Sequence, residues 1–123
     1  MTKGILIDVN NKTITEVTVE KNSNGTHLDS LYKLIGCEMV QVVSVGENDI
    51  YVDEEGLLKL TPSTNFFKWK DYPQPLTGNG LILGYDDSTG QNIDVTMTVE
   101  EVKQKVKFLT HRDVAVGSYF GEW

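Results

Sequence analysis

The apolar residues of this chain fall in short clusters separated by polar turns, and this spacing limits what it can fold into. Short clusters bounded by Gly, Asn and Asp are typical of strands and short helices joined by tight turns. No cluster approaches the roughly 20 apolar residues that a membrane-spanning helix needs. At 123 residues, 39% of them hydrophobic, the chain has the size of one domain with one core. Because no apolar run is long enough to span a bilayer, we expect no membrane partner.

Alternating and aliphatic segments predict a sheet built mostly from hairpins. Residues 38–45 are apolar on both faces, which predicts a central strand covered on two sides. Residues 49–60 alternate around an acidic turn, which predicts a surface hairpin. The predicted strands are residues 3–9, 13–19, 38–45, 49–52, 56–60, 78–85 and 92–97.

Two segments have helical periodicity. The first begins after Thr26, a candidate N-cap with Asp29 three residues on, and Gly36 supplies a C-terminal cap. The second opens with the capping box of Thr98 and Glu101 and is predicted to run to about residue 109. The buried stripes are expected to be Leu28, Leu31, Tyr32 and Ile35 in the first helix, and Val99, Val102, Val106 and Leu109 in the second.

These elements predict the α+β class, a mostly antiparallel sheet of hairpins with two helices. Residues 1–109 are expected to form the single domain. Residues 110–123 are expected to form a C-terminal extension that docks on that domain or on a second protomer, because the segment keeps several large apolar side chains. Residues 61–77 have the least regular pattern and contain all three prolines, together with four large aromatic residues that should pack on the body, a subunit or a ligand.

Charge and cysteine content narrow the possible partners and the compartment. The net charge of −7 argues against nucleic-acid binding, which requires a basic face. Of the eleven basic residues, ten are Lys and one is Arg112. Cys37 is the single cysteine and residues 5–7 are too short for a signal-peptide core, so we expect a reducing cytosol.

The sequence offers no convincing catalytic or metal site. Cys37 opens a predicted strand, where a cysteine is normally an inert small apolar residue. Residues 86–94 superficially suggest a calcium loop but lack its alternating oxygen ligands and closing Glu. The glycines at 78, 80 and 84 do not precede a helix, as a phosphate loop requires. We therefore expect neither an enzyme nor a bound cofactor or metal.

The remaining polar and aromatic residues have the types that a small nucleotide ligand needs. Aromatic rings stack on planar bases, amides hydrogen-bond base edges or ribose, and basic groups hold phosphate. The candidate ligand-binding residues are Phe67, Trp69, Tyr72, Asn79, Asn92, His111 and Arg112.

Four segments give the chain a resemblance to a group of small phage and prophage proteins catalogued as a domain of unknown function. They are GILID at residues 4–8, YVDEEGLLK at 51–59, GNGLILGYDD at 78–87 and TVEEV at 98–102. In size and layout the chain also resembles the Thoeris anti-defence proteins of phages. Members of that family bind cyclic ADP-ribose isomers made by bacterial TIR immune enzymes and hold them intact.

The resemblance implies a sponge for a small cyclic nucleotide that works as a homo-oligomer in the cytoplasm of an infected bacterium. It places a polar residue at Asn92 and an Arg at Arg112 in the pocket, with stacking by Phe67, Trp69 or Tyr72. The family's sites are richer in Arg than this chain. Two other hypotheses remain open: an acidic phage protein that inhibits a host defence protein by direct binding, and a structural or regulatory phage protein that only oligomerises.

Overall fold

The computed structural model describes residues 2–20 and 28–115 of the protein. Within these ranges the chain forms nine strands, three α-helices and one 3-10 helix. The strands are β1 Thr2–Asp8, β2 Thr13–Val19, β3 Val40–Val45, β4 Asn48–Asp53, β5 Phe66–Trp69, β6 Leu76–Thr77, β7 Gly80–Asp86, β8 Gln91–Ile93 and β9 Val106–Leu109. The helices are α1 Leu28–Ile35, α2 Val99–Lys105, α3 His111–Ala115 and the 3-10 helix Gly56–Lys59.

The strands form two antiparallel sheets. The larger sheet has the order β2-β1-β7-β4-β3, with β8 also paired to β7, and the smaller sheet has the order β6-β5-β9. This confirms the predicted α+β class with antiparallel strands in one small domain, with a third α-helix added to the two that were predicted.

The larger sheet is buried on both faces because successive side chains of a strand point to opposite sides. In β7, Ile82 contributes to a core shared with the smaller sheet and α2, whereas Leu81 and Leu83 contribute to a core shared with α1. All three side chains are fully buried. The predicted Gly-flanked buried strand is therefore confirmed, and it lies in the middle of the sheet.

The N-terminal hairpin and the first helix are confirmed. β1 and β2 pair from Thr2 with Val19 to Asp8 with Thr13. In α1, Leu31 and Ile35 are buried, and Gly36 has the positive φ of 81° expected of a C-terminal cap. The proposed N-cap Thr26 and the side chains of Leu28 and Asp29 lie outside what the structure describes.

Two strand predictions are wrong, and the strand predicted at 92–97 is the shorter β8, which ends at Ile93. The segment predicted to be a central strand contains β3, which ends the larger sheet and leaves 46% of the Val42 side chain exposed. The predicted surface hairpin at 49–60 is instead the central strand β4 followed by the 3-10 helix. Its Ile50 is fully buried opposite Ile82 of β7, a long-range partner that no local pattern reveals.

The end of the second helix was also placed wrongly. The capping box is confirmed, since the Thr98 side chain accepts from the Glu101 N–H and Glu101 accepts from the Thr98 N–H. However, α2 ends at Lys105, and residues 106–109 form β9, which pairs with β5 from Trp69–Val106 to Phe66–Leu109. The β-branched Val106 suits a strand, and β9 supplies the hydrogen-bonding partner that β5 requires.

The segment at 61–77, which has the least regular pattern in the sequence, contains the strands β5 and β6. Its Phe66, Phe67 and Trp69 are at most 3% exposed, which shows that these aromatics pack on the body of the domain. Residues 116–123 of the predicted extension lie outside the described ranges. Of the described helices, none is long and apolar enough to cross a membrane.

Candidate functional site

A cavity of about 370 Å³ opens where the smaller sheet meets the turn between β3 and β4. Residues from four parts of the chain line it, and they combine two aromatic rings, one ion pair and a small polar wall. The lining residues are Ser44, Val45, Gly46, Trp69, Asp71, Tyr72, Met97 and Lys105. We call it the aromatic cavity.

The two aromatic rings of this cavity are held by the end of β5. Trp69 is 3% exposed and pairs with Val106 of β9. The chain then turns, with the Tyr72 N–H donating to the Trp69 carbonyl at 3.0 Å. The Lys70 N–H donates to the Lys105 carbonyl at 2.8 Å, which fixes the turn against the end of α2.

Hydrogen bonds from the buried Lys68 side chain stabilise the same turn. The Lys68 Nζ donates to the Trp69 carbonyl at 2.8 Å and to the Tyr72 carbonyl. Burial lowers the pKa of Lys68, and the nearby Asp71 carboxylate opposes that shift. The lysine thus holds the backbone on either side of Asp71 in place, which positions both aromatic residues of the cavity.

An ion pair lies at the edge of the aromatic cavity. Lys105 Nζ is 3.3 Å from Asp71 Oδ2, and the two side chains are 38% and 72% exposed. A pair this exposed is held weakly because water and salt screen it. An anionic ligand can therefore compete with Asp71 for the Lys105 ammonium. Aromatic rings beside an exchangeable cation suit a planar ligand that carries an anionic group.

The structure brings together two of the residues predicted to bind a ligand, Trp69 and Tyr72. Phe67 lies two residues before Trp69 in β5, but its side chain has no exposed surface and packs in the core. His111 and Arg112 lie in α3, after the opposite end of β9, and are not among the lining residues of the aromatic cavity. The His111 ring is 6.4 Å from that of Phe66, and Arg112 is exposed.

The two predicted asparagines lie elsewhere and are engaged within the domain. Asn79 Oδ1 accepts a hydrogen bond from the Val9 N–H at 3.0 Å. Asn92 Oδ1 accepts from the Tyr51 hydroxyl at 2.8 Å, and its Nδ2 donates to the Gly84 carbonyl at 3.2 Å. The role of these residues in ligand binding stays a prediction, but neither lines the aromatic cavity.

Three polar residues that line this cavity were not predicted to bind a ligand: Ser44, Asp71 and Lys105. Lys105 lies in the segment predicted to be one longer helix, and no binding motif pointed to Asp71 or Ser44. The pairing of β5 with β9 is what brings Lys105 to Asp71. A sequence signal for that contact would have required recognising residues 106–109 as a strand.

Asp49 is a buried acidic residue next to this region. It is 7% exposed, and its Oδ1 accepts a long hydrogen bond of 3.4 Å from the hydroxyl of the cavity residue Ser44. Burial raises the pKa of Asp49, and the charge of Asp87 adds to the shift, whereas the Ser44 bond opposes it. The folded protein therefore binds this proton more strongly than the unfolded chain, so ionisation of Asp49 destabilises the fold as the pH rises.

We expect Asp49→Asn to raise the free energy of unfolding at pH 7, because the amide keeps the acceptor and removes the buried charge. The gain should shrink as the pH falls through the folded-state pKa and vanish below 3.8, where Asp49 is protonated in both states. Urea denaturation across this pH range measures it, with the exposed Glu38→Gln as the control. A loss of stability at pH 7, or a gain independent of pH, would contradict the assignment.

A match to a protein-family model identifies the family of this chain. The model of the family described as "Domain of unknown function (DUF3846)" matches residues 1–107. The chain belongs to this family. The match covers the larger sheet, α1, α2 and the smaller sheet up to the middle of β9, so the DUF3846 domain contains every lining residue of the aromatic cavity.

A curated relative and the solved structures add context. The "Uncharacterized protein y4iR" of Sinorhizobium fredii (strain NBRC 101917 / NGR234) is 33% identical over 67 residues, which is 54% of this chain and 40% of the relative. The aligned part thus spans less than half of that relative's length. No solved structure matches the chain.

Proposed function

We propose that this DUF3846 protein is a binding protein that holds a small nucleotide of the cyclic ADP-ribose type in the aromatic cavity without cleaving it. In this proposal it is a phage-encoded sponge that removes a TIR-derived signal in the cytoplasm of the infected bacterium. The observation that carries the proposal is the meeting of Trp69 and Tyr72 with Lys105 in one cavity of about 370 Å³.

The chemistry of the cavity supports a nucleotide over a purely apolar ligand. Tyr72 is half-buried and lines the cavity, so its ring can contact a planar base there. Lys105 supplies a cation for a phosphate, and the Ser44 oxygen supplies an acceptor, since its hydroxyl proton is donated to Asp49. Cyclic ADP-ribose presents a planar base, two phosphates and several hydroxyl groups, which these residues complement.

The proposal is tested by isothermal titration of the protein with a panel of cyclic ADP-ribose isomers and cyclic dinucleotides. We expect at least one cyclic ADP-ribose isomer to bind, and Tyr72→Ala to weaken it roughly 5- to 150-fold, the effect of losing one base-stacking ring. Tyr85→Ala is the matched control, because Tyr85 is 39% exposed and lies outside the cavity.

Arg112→Ala separates two versions of the site. The family resemblance places an Arg in the pocket, whereas Arg112 follows the far end of β9 and is not a lining residue of the aromatic cavity. If Arg112→Ala alone abolishes binding, the site lies beside α3 and not at Trp69 and Tyr72. If no nucleotide in the panel binds, the proposal is wrong.

A second candidate function, inhibition of a host protein by direct binding, is favoured by the edge of the larger sheet. Val42 of the end strand β3 is 46% exposed, Met39 just before the strand is 48% exposed, and β3 contains no charged residue. Uncharged edge strands are ready templates for pairing with another chain. A second copy of this protein is another occupant of that edge, and light scattering of the purified protein would reveal such an oligomer.

A further inference from the structure

A second cavity of about 310 Å³ lies apart from the aromatic cavity, on the side of the domain where α1 ends. It is lined mainly by hydroxyl and amide side chains from four segments, with no residue in common with the aromatic cavity. Its lining includes Asn10, Asn65, Thr77 and Asn79. We call it the polar cleft.

The fold holds these polar groups in place while leaving part of their hydrogen-bonding capacity open. Asn79 Oδ1 accepts from the Val9 N–H at 3.0 Å, which orients the side chain. Among the residues that the structure describes, none accepts from Asn79 Nδ2 or bonds to the Thr77 hydroxyl. Both groups line the cleft, so they offer a donor and a hydroxyl to whatever occupies it.

A pair of asparagines, Asn10 and Asn65, also lines the cleft. Asn65 Nδ2 donates to Asn10 Oδ1 at 3.1 Å, which links the loop before β5 to the turn of the first hairpin. This bond leaves the Asn65 oxygen as an acceptor and the Asn10 amide nitrogen as a donor within the described part of the chain. The cleft therefore presents both donors and acceptors, and hydrogen bonds to neighbouring segments hold the side chains of Asn10, Asn65 and Asn79.

The charges of the cleft cancel. Lys59 Nζ lies 3.0 Å from Asp53 Oδ2, and the Asp53 side chain is only 14% exposed. Asp53 Oδ1 also accepts from the Glu55 N–H at 2.9 Å, so this carboxylate is committed within the domain. A cleft with paired charges and many neutral donors and acceptors disfavours an ionic ligand, whose charge would find no unpaired partner.

Small and apolar residues complete the lining. Gly36 and Gly78 have no side chains and leave open space, while Val9 and Ile35 line the cleft with apolar side chains. A sugar ring has the matching character, since its hydroxyl groups need neutral donors and acceptors and its C–H faces need apolar contacts.

We propose that the polar cleft binds an uncharged, polyhydroxylated ligand of the carbohydrate type. This site is independent of the nucleotide proposal, because its residues and its ligand chemistry are different. The Thr77 hydroxyl and the Asn79 amide donate to ligand hydroxyls, and the Asn10–Asn65 pair orients the sugar ring.

The test is a titration of the full chain with D-glucose, D-ribose, N-acetylglucosamine and myo-inositol, followed by ¹H–¹⁵N NMR. We expect one of these probes to bind in the millimolar range, with shift changes centred on residues 64–65 and 77–79. Thr77→Val should weaken that binding roughly fivefold, the effect of one neutral hydrogen bond. Thr18→Val, an exposed threonine of β2, should leave it unchanged.

Asn79→Asp provides a second variant that does not depend on how Thr77→Val folds. It keeps the acceptor for the Val9 N–H and removes the donor, so it should weaken binding while melting near the wild-type temperature. Three results would overturn the proposal: no shift change with any probe, unchanged affinity in both variants, or shift changes centred on Trp69 and Lys105. Glucose 6-phosphate binding more tightly than glucose would overturn its neutral character.

Discussion

Replacing Phe67 by alanine should lower the free energy of unfolding by about 3–5 kcal/mol, the usual loss when a buried aromatic ring is removed from a core. Phe67 has no exposed surface and pairs in the smaller sheet with Leu76 and Phe108. Its ring packs so closely on Gly80 that a Cβ there would lie 2.7 Å from its Cζ. Urea denaturation followed by circular dichroism measures the loss.

The matched control is Phe108→Ala, because Phe108 lies opposite Phe67 on β9 but is only half-buried. We expect a clearly smaller loss of stability in that variant. The comparison also separates the two roles considered for Phe67. If Phe67→Ala kept its stability and lost only nucleotide binding, the ring would be a ligand-stacking residue and its placement in the core would be contradicted.

The second large effect concerns the cation of the aromatic cavity. We expect Lys105→Met to weaken binding of the nucleotide by about 1.5–3 kcal/mol, which corresponds to roughly 10- to 150-fold. A charge-assisted hydrogen bond to phosphate is lost, while the apolar stem and the length of the side chain are kept. Isothermal titration with the best ligand of the panel measures the difference.

Lys103→Met is the control for this experiment. Lys103 belongs to the same last turn of α2 and forms an ion pair of its own, with Glu100 at 3.7 Å, but does not line the cavity. It should bind with nearly wild-type affinity. Equal losses in the two variants would indicate a general effect of net charge and would contradict a specific contact at Lys105.

The parts of the fold that the sequence predicted well are those with local signals. The β1–β2 hairpin follows from alternation around a turn rich in Asn, and the start of α2 follows from the reciprocal side-chain bonds of Thr98 and Glu101. The α1 stripe was predicted because Leu31 and Ile35 lie one helical turn apart, and Gly36 ends the helix. Each of these signals involves residues close together in the chain.

The predictions that were wrong depend on pairing between distant residues. The central position of β4 rests on Ile50 pairing with Ile82, and residues 106–109 become a strand because β5 lies beside them. Local periodicity cannot reveal either neighbour, since both a helix and a strand accept the apolar residues Val106 and Leu109.

The candidate site was predicted only in part for the same reason. Trp69 and Tyr72 are close in sequence and were grouped as aromatics of one segment, whereas Lys105 joins them through the pairing of β5 with β9. Asn79 and Asn92 were chosen by residue type, and the structure gives both a partner within the domain. Residue type alone therefore identified the aromatic part of the cavity but not its charged part.

The most direct test of the proposed sponge function is to recover the ligand after binding. The protein is saturated with the cyclic ADP-ribose isomers, freed of unbound nucleotide and denatured by heat, and the released molecule is identified by mass spectrometry. We expect the wild-type protein to release one intact cyclic nucleotide in stoichiometric yield, and Lys105→Met to release clearly less. Release of a hydrolysed product would show an enzyme, and release of no nucleotide would contradict the proposed sponge.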